Sequence, residues 1–201
     1  YTYLWSNLST SDSIFNLSVG IYTLELTDSL GCVILFDVPL IEPLENLTSS
    51  IITTTDYNGY NISCYSLNDG ALQGLASGGV PEYSFYWNSV QLNDSITNLY
   101  PGDYELTVYD KNNCVSTSNV TLIQPDSLYL NILSFTDTCS KGVGRSEVTV
   151  YGGVSPYSYL WSNGLNSSVV SNFNQGVYEV IVSDENSCQV SDSIEIFNLP
   201  S

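Results

Sequence analysis

Apolar and polar side chains alternate with a period of two along much of this chain: Tyr157, Tyr159 and Trp161 fall on one side, Ser158 and Leu160 on the other. Tyr178, Val180 and Val182 alternate with Glu179 and Ile181, and the same run occurs as Tyr104, Leu106, Val108 and as Tyr22, Leu24, Leu26. Period two sends successive side chains to opposite faces of a strand, so each run predicts a strand with one face in a core. The 3.6-residue period of a helix is absent. Turn signals such as Asn68-Asp69-Gly70 and Gly78-Gly79-Val80-Pro81 punctuate the runs. Together they predict about seven short strands per unit, packed as a sandwich.

The pattern itself recurs. Tyr1-Thr2-Tyr3-Leu4-Trp5 returns as Tyr83-Ser84-Phe85-Tyr86-Trp87 and as Tyr157-Ser158-Tyr159-Leu160-Trp161, offset by 82 and then 74 residues. That spacing exceeds a solenoid unit, so each copy is a small domain with its own core. Proline marks the seams at Ile41-Glu42-Pro43, Ile123-Gln124-Pro125 and Asn198-Leu199-Pro200. The expected units are 1–43, the C-terminal half of a truncated repeat, followed by complete repeats at 44–125 and 126–201. Seams this short, with proline and no Gly/Ser tract, predict semi-rigid joints and a rod. The segment Leu99-Tyr100-Pro101-Gly102-Asp103-Tyr104 has the form of a tyrosine corner. The expected fold class is therefore all-β: tandem immunoglobulin-like β-sandwich repeats in an extended array. Trp5, Trp87 and Trp161, with Tyr22, Tyr104 and Tyr178, are its core anchors; a Trp recurring in an alternating strand is read as core rather than as a sugar platform. Tyr86, Tyr100 and Tyr109 are expected at the surface.

Five cysteines, Cys32, Cys64, Cys114, Cys139 and Cys188, leave one unpaired. Pairing Cys64 with Cys114 and Cys139 with Cys188 gives separations of 50 and 49 residues, each inside one unit. Cys32 is the repeat equivalent of Cys114 and Cys188, so its partner is expected upstream of residue 1. Closing such a loop is worth roughly 4 kcal/mol in the chain-entropy model. Each Asp-x-x-x-Cys segment, Asp28 to Cys32, Asp110 to Cys114 and Asp184 to Cys188, joins two strand runs and reads as a hairpin turn rather than a carboxylate ligand site.

Composition narrows the chemistry. The 201 residues carry three basic against 21 acidic side chains, no His, and a net charge of -18. An acidic surface distributed over every unit excludes nucleic acid as a partner. Lack of His removes the usual general base, and no P-loop, dinucleotide or Gly-x-Ser-x-Gly motif occurs, so no catalytic residue is assigned and the chain is read as a non-enzyme. No cofactor is expected. Asp56-Tyr57-Asn58-Gly59 and Asp184-Glu185-Asn186 offer oxygen donors that suit Ca²⁺, without EF-hand spacing, and no metal ligand is assigned.

The set Gly152-Gly153-Val154-Ser155-Pro156-Tyr157 through Trp161-Ser162-Asn163-Gly164, then Gly176-Val177-Tyr178 through Asp184 and Cys188, resembles the SprB-repeat family found in gliding-motility adhesins of Bacteroidetes. Gly78 to Trp87 with Gly102 to Cys114 is the second copy, and Tyr1 to Asn7 with Gly20 to Cys32 the first. The resemblance implies a very long extracellular protein, attached at the outer membrane, exported by type IX secretion and moved by the gliding machinery. Its partners would be neighbouring repeats, that machinery and surface polysaccharide. The alternative is a multivalent glycan-binding module. Ser13, Ser29, Ser95, Ser127 and Ser193 lie in Asp-Ser-aliphatic tripeptides that resemble the O-glycosylation signal of secreted Bacteroidetes proteins. Lys141-Gly142-Val143-Gly144-Arg145 departs from the family's small polar turn and suggests an inter-domain contact.

Overall fold

The structure is a computed structural model describing residues 1–139 and 141–199; Pro200 of the third seam and Ser201 lie outside the described residues. The alternating runs form antiparallel strands, and no helix occurs among the described residues. The first unit has β1 (Thr2–Trp5), β2 (Gly20–Thr27) and β3 (Val33–Leu40), in one sheet ordered β1-β2-β3. In the second, β4 (Thr48–Thr53), β5 (Gly70–Ser77), β6 (Ser84–Trp87), β7 (Val90–Leu92), β8 (Ser95–Leu99), β9 (Gly102–Tyr109) and β10 (Val115–Leu122) make sheets β4-β5-β8 and β10-β9-β6-β7. The third has β11 (Tyr129–Phe135), β12 (Asp137–Thr138), β13 (Gly144–Tyr151), β14 (Ser158–Trp161), β15 (Val169–Phe173), β16 (Gly176–Ser183), β17 (Gln189–Ile196) and β18 (Asn198–Leu199). Its sheets are β11-β13-β15 and β14-β16-β17, with a short parallel β12-β18 pair. Two sheets of this topology face to face are an immunoglobulin-like sandwich.

Each complete unit has its own core. In the second, Leu72, Trp87, Leu106, Val108 and Leu122 meet Ile62; in the third, Trp161, Phe173, Val180, Val182, Ile194 and Ile196 meet Val148 and Val170. Fully burying one such aliphatic side chain is worth about 1.5–3 kcal/mol. Trp87 and Trp161 are buried and Trp5 half-buried, because the first unit's sheet has no second layer among the described residues. Leu40, equivalent to Leu122 in strand register, is 38% exposed where Leu122 is 1%.

The register also sharpens the seams. Leu40, Leu122 and Ile196 stand opposite Gly20, Gly102 and Gly176, which puts Pro43 and Pro125 at one position and Leu199, not Pro200, at the third. The chain enters the second unit where the Gly79 N–H donates to Glu45 C=O (2.8 Å) and leaves at the other end, where Asn61 and Ile62 N–H groups donate to Ile123 C=O (3.0 and 3.2 Å). The third unit repeats this: Gly153 N–H to Asp126 C=O at its entry (2.9 Å), Asp137 N–H to Phe197 C=O at its exit (2.9 Å). Units therefore join head to tail.

The cysteines pair differently from the sequence expectation. Cys64 bonds Cys188, across units and 124 residues apart, with Cα atoms 5.7 Å apart, while Cys32, Cys114 and Cys139 are free and exposed. Strand geometry is the reason. Cys114 precedes Val115, the first residue of β10, whereas Cys64 follows Ile62, which hangs on Ile123 just past the last residue of β10. A bond inside the unit would have to span that strand, about 25 Å, against a limit near 7 Å. Cys139, on Leu199 C=O beyond the end of β17, and Cys188, just before its start, are separated in the same way.

Candidate functional site

The junction between the second and third units gathers the residues that sequence reasoning had placed in separate turns. Asp184, at the end of β16, is buried; its Oδ1 accepts the Cys188 N–H (2.9 Å) and its Oδ2 accepts the Val154 N–H (2.8 Å). One carboxylate thus ties the β16-β17 turn to the loop between β13 and β14. Asp110 does the same in the second unit, accepting from Asn112 and Cys114 on Oδ1 (both 2.8 Å) and from Val80 on Oδ2 (2.8 Å). Asp28 accepts from Leu30 (2.8 Å) and Cys32 (2.9 Å). The hairpin reading of these turns stands; the second oxygen's reach across the chain is what the sequence pattern lacked.

Backbone donors of this kind make Asp110, Asp28 and Asp137 more acidic than an ordinary Asp. The Val80 N–H on Asp110 holds its carboxyl below the ordinary range, against burial and with help from Cys114 and Asn112. Asp28 is lowered chiefly by the Cys32 and Leu30 N–H groups, and Asp137 chiefly by Val143.

The clamped loop carries a glycine pair that receives the linker. Gly152 has φ +69°, and a Cβ there would collide with Ser127 C=O; Gly78, at φ +72°, bears the same relation to Asn46 C=O. Tyr157 and Tyr83 brace the turns by donating to the Gly152 and Gly78 carbonyls (2.7 and 2.8 Å).

So positioned, the β16-β17 turn docks on the second unit. Asn186 Nδ2 donates to Tyr57 C=O (3.2 Å) and Ser63 C=O (2.9 Å), and Asn186 Oδ1 accepts from Asn58 Nδ2 (2.6 Å). Two residues on, Cys188 bonds Cys64. Beside the bridge lies a hollow lined by Tyr65, Leu67, Ser127, Leu128, Ser187 and Gln189. The two oxygen-rich clusters named as calcium candidates therefore meet at one interface, with Asp56 Oδ1 accepting the Gly59 N–H (2.8 Å) and Asp184 holding its own turn.

Other sequence candidates lie elsewhere. Tyr22, Tyr104 and Tyr178 are half-buried and donate to the carbonyls of Ser18, Tyr100 and Asn174 at 3.0, 3.0 and 3.3 Å, four residues upstream. Ser13, Ser29, Ser95, Ser127 and Ser193 are all exposed. Tyr100 and Tyr109 are exposed, and Tyr86 packs edge-on against Tyr109 with ring centroids 5.3 Å apart. Arg145 pairs with Glu147 and lies over the Phe135 ring, both on its own sheet.

Fold and junction define a class: a tandem immunoglobulin-like β-sandwich repeat. Within it, the family model of the SprB repeat matches residues 147–166, the stretch from β13 through β14 that contains the glycine pair and Trp161. That match covers 20 residues of the third unit, and it is there that the chain is similar to the SprB repeat. No curated protein matches the sequence. Among solved structures, the N-terminal eight immunoglobulin domains of Down Syndrome Cell Adhesion Molecule cover 99% of this chain at 10% identity and TM-score 0.40; the chain spans only 33% of that structure. Fibronectin(III)-like modules of Clostridium thermocellum CbhA cover 75% of the chain at 14% identity and TM-score 0.30, with 95% of their own length matched. A tetra-tandem repeat from the extending region of a large adhesion protein covers 94% at 18% identity and TM-score 0.27, with 59% of that structure matched.

Proposed function

We propose that this chain is a stalk segment of a very large extracellular adhesin, serving gliding motility or surface attachment at the outer membrane. The observation that carries this reading is the junction, where a covalent bond and three amide contacts from Asn186 and Asn58 fix one sandwich on the next. Each bead adds on the order of 30 to 40 Å if its strands run along the axis. Load passes from sheet to sheet through antiparallel ladders and across the seam through Cys64 and Cys188. The carboxylates of the turns serve backbone N–H groups, in keeping with a mechanical rather than a catalytic part.

The partners under this reading are neighbouring repeats and the secretion and gliding machinery. Antibody against residues 44–199, applied to intact cells that make the protein, is expected to decorate filaments outside the outer membrane. Labelling only after permeabilisation would overturn the proposal. A second reading, multivalent recognition of surface polysaccharide, is favoured by tyrosine pairs such as Tyr129 and Tyr151, stacked with centroids 5.0 Å apart on an exposed face. A glycan array separates the two, since a stalk binds no glycan specifically and a recognition module retains defined ones.

A further inference from the structure

The three free cysteines are not three unrelated thiols. Cys114 is the counterpart of Cys188: each directly precedes the last long strand of its unit, and each amide donates to the clamping Asp, 2.8 Å to Asp110 and 2.9 Å to Asp184. Cys139 is the counterpart of Cys64: two residues before each, Asp137 and Ile62 donate to the carbonyl that follows the last long strand, Phe197 and Ile123. Cys64 and Cys188 are bonded, and they belong to consecutive units.

We propose that Cys114 and Cys139 each supply one half of a further inter-repeat bridge of the Cys64–Cys188 kind, so that successive junctions of the array are closed by a continuous ladder of disulfides. Cys114 bonds the cysteine that the preceding repeat carries at the position of Cys64, and Cys139 bonds the cysteine that a following repeat carries at the position of Cys188. This rests on reading the chain as one stretch of a longer array.

A second observation, independent of the thiol, marks the Cys114 end as built for this. Cys114 borders a hollow lined by Glu42, Pro43, Glu45, Asn46, Leu47 and Gly79. Asn46 and Leu47 hold the strand-register places of Ser127 and Leu128, which line the hollow beside the Cys64–Cys188 bond. Asn112 stands two residues before Cys114 as Asn186 stands before Cys188, so the amide that reaches the preceding repeat's carbonyls is also in place. Cys32 extends the ladder by one rung, with Leu30 at the asparagine's place, so that rung lacks the amide contact.

Forming each rung breaks two S–H bonds and makes one S–S bond. The two electrons and two protons pass to the disulfide of a protein thiol oxidant, which leaves as a dithiol. Such oxidants belong to the export compartments where structural disulfides form.

The test is peptide mapping of the full secreted chain by mass spectrometry, alkylated and digested without reduction. The expected map links the Cys64 peptide to the Cys188 peptide, the Cys114 peptide to one from the repeat before, and the Cys139 peptide to one from the repeat after. Linkage of Cys64 to Cys114 or of Cys139 to Cys188, or alkylated Cys114 and Cys139 in the full chain, overturns the ladder. In a Cys139→Ser variant one additional alkylated thiol appears, in the following repeat; an unchanged thiol count also overturns it. Failure here with surface filaments still labelled leaves the stalk standing, whereas the expected map with no surface labelling leaves the ladder and removes the stalk.

Discussion

Asp110 takes three backbone N–H groups on its two oxygens, and those donors rather than a basic partner keep its carboxyl ionised. Its folded-state pKa lies below the unfolded value, as do those of Asp28 and Asp137. The stabilisation is therefore present above the unfolded pKa of about 3.9 and is lost as pH falls through the lower folded values. Urea unfolding followed from pH 7 to pH 2 is expected to show a plateau that declines below about pH 4. In Asp110→Asn, the new amide turns either a donor or its single oxygen toward groups that all donate, so stability at pH 7 falls and the acid-side decline becomes shallower. A variant that titrates as steeply as the parent would show that the clamp is not the source of the decline.

At the scale of the element, loops are held by single well-placed groups. Gly152→Ala would place a Cβ in a left-handed conformation and against the Ser127 carbonyl. The conformation alone costs about 1–2 kcal/mol, so chemical denaturation should report a loss of at least that size, and an unchanged midpoint would refute the close approach. Tyr104→Phe removes the hydroxyl that reaches Tyr100 C=O at 3.0 Å. A loss of about 1 kcal/mol is expected, measured by the same unfolding, with Tyr178→Phe costing less because its contact is 3.3 Å. Absent effects would argue that the corners do not secure the loops before β9 and β16, and equal ones that the difference in contact distance does not matter.

For the whole molecule, the Cys64–Cys188 bond closes a loop of 124 residues, worth about 5 kcal/mol in the chain-entropy model. Because each complete unit has its own core, the bond chiefly ties two otherwise separate folding units. Calorimetry is expected to show one coupled transition for the oxidised chain and two lower, separate ones after reduction. Small-angle scattering of the reduced chain should broaden toward a jointed particle, less so than in an Asn186→Ala variant under the same reductant. Identical melting with and without reductant would mean that the Cys64–Cys188 bond does not couple the two units.

Strands, turns and the Trp and Tyr positions are local properties: a period of two, a Gly or Asn at a turn and a repeated aromatic each act within a few residues, and they could be read directly from the order of side chains. The Asp-x-x-x-Cys hairpins were legible for the same reason. The disulfide partners were not, because in a repeating chain a cysteine has the same spacing to its own unit's second cysteine whether or not they touch. What separates Cys64 from Cys114 is the length of β10, and what joins Cys64 to Cys188 is the head-to-tail seating of one sandwich on the next. Both are distances in the folded chain, set by strand rise and by where the linker enters the Gly152-Gly153 turn.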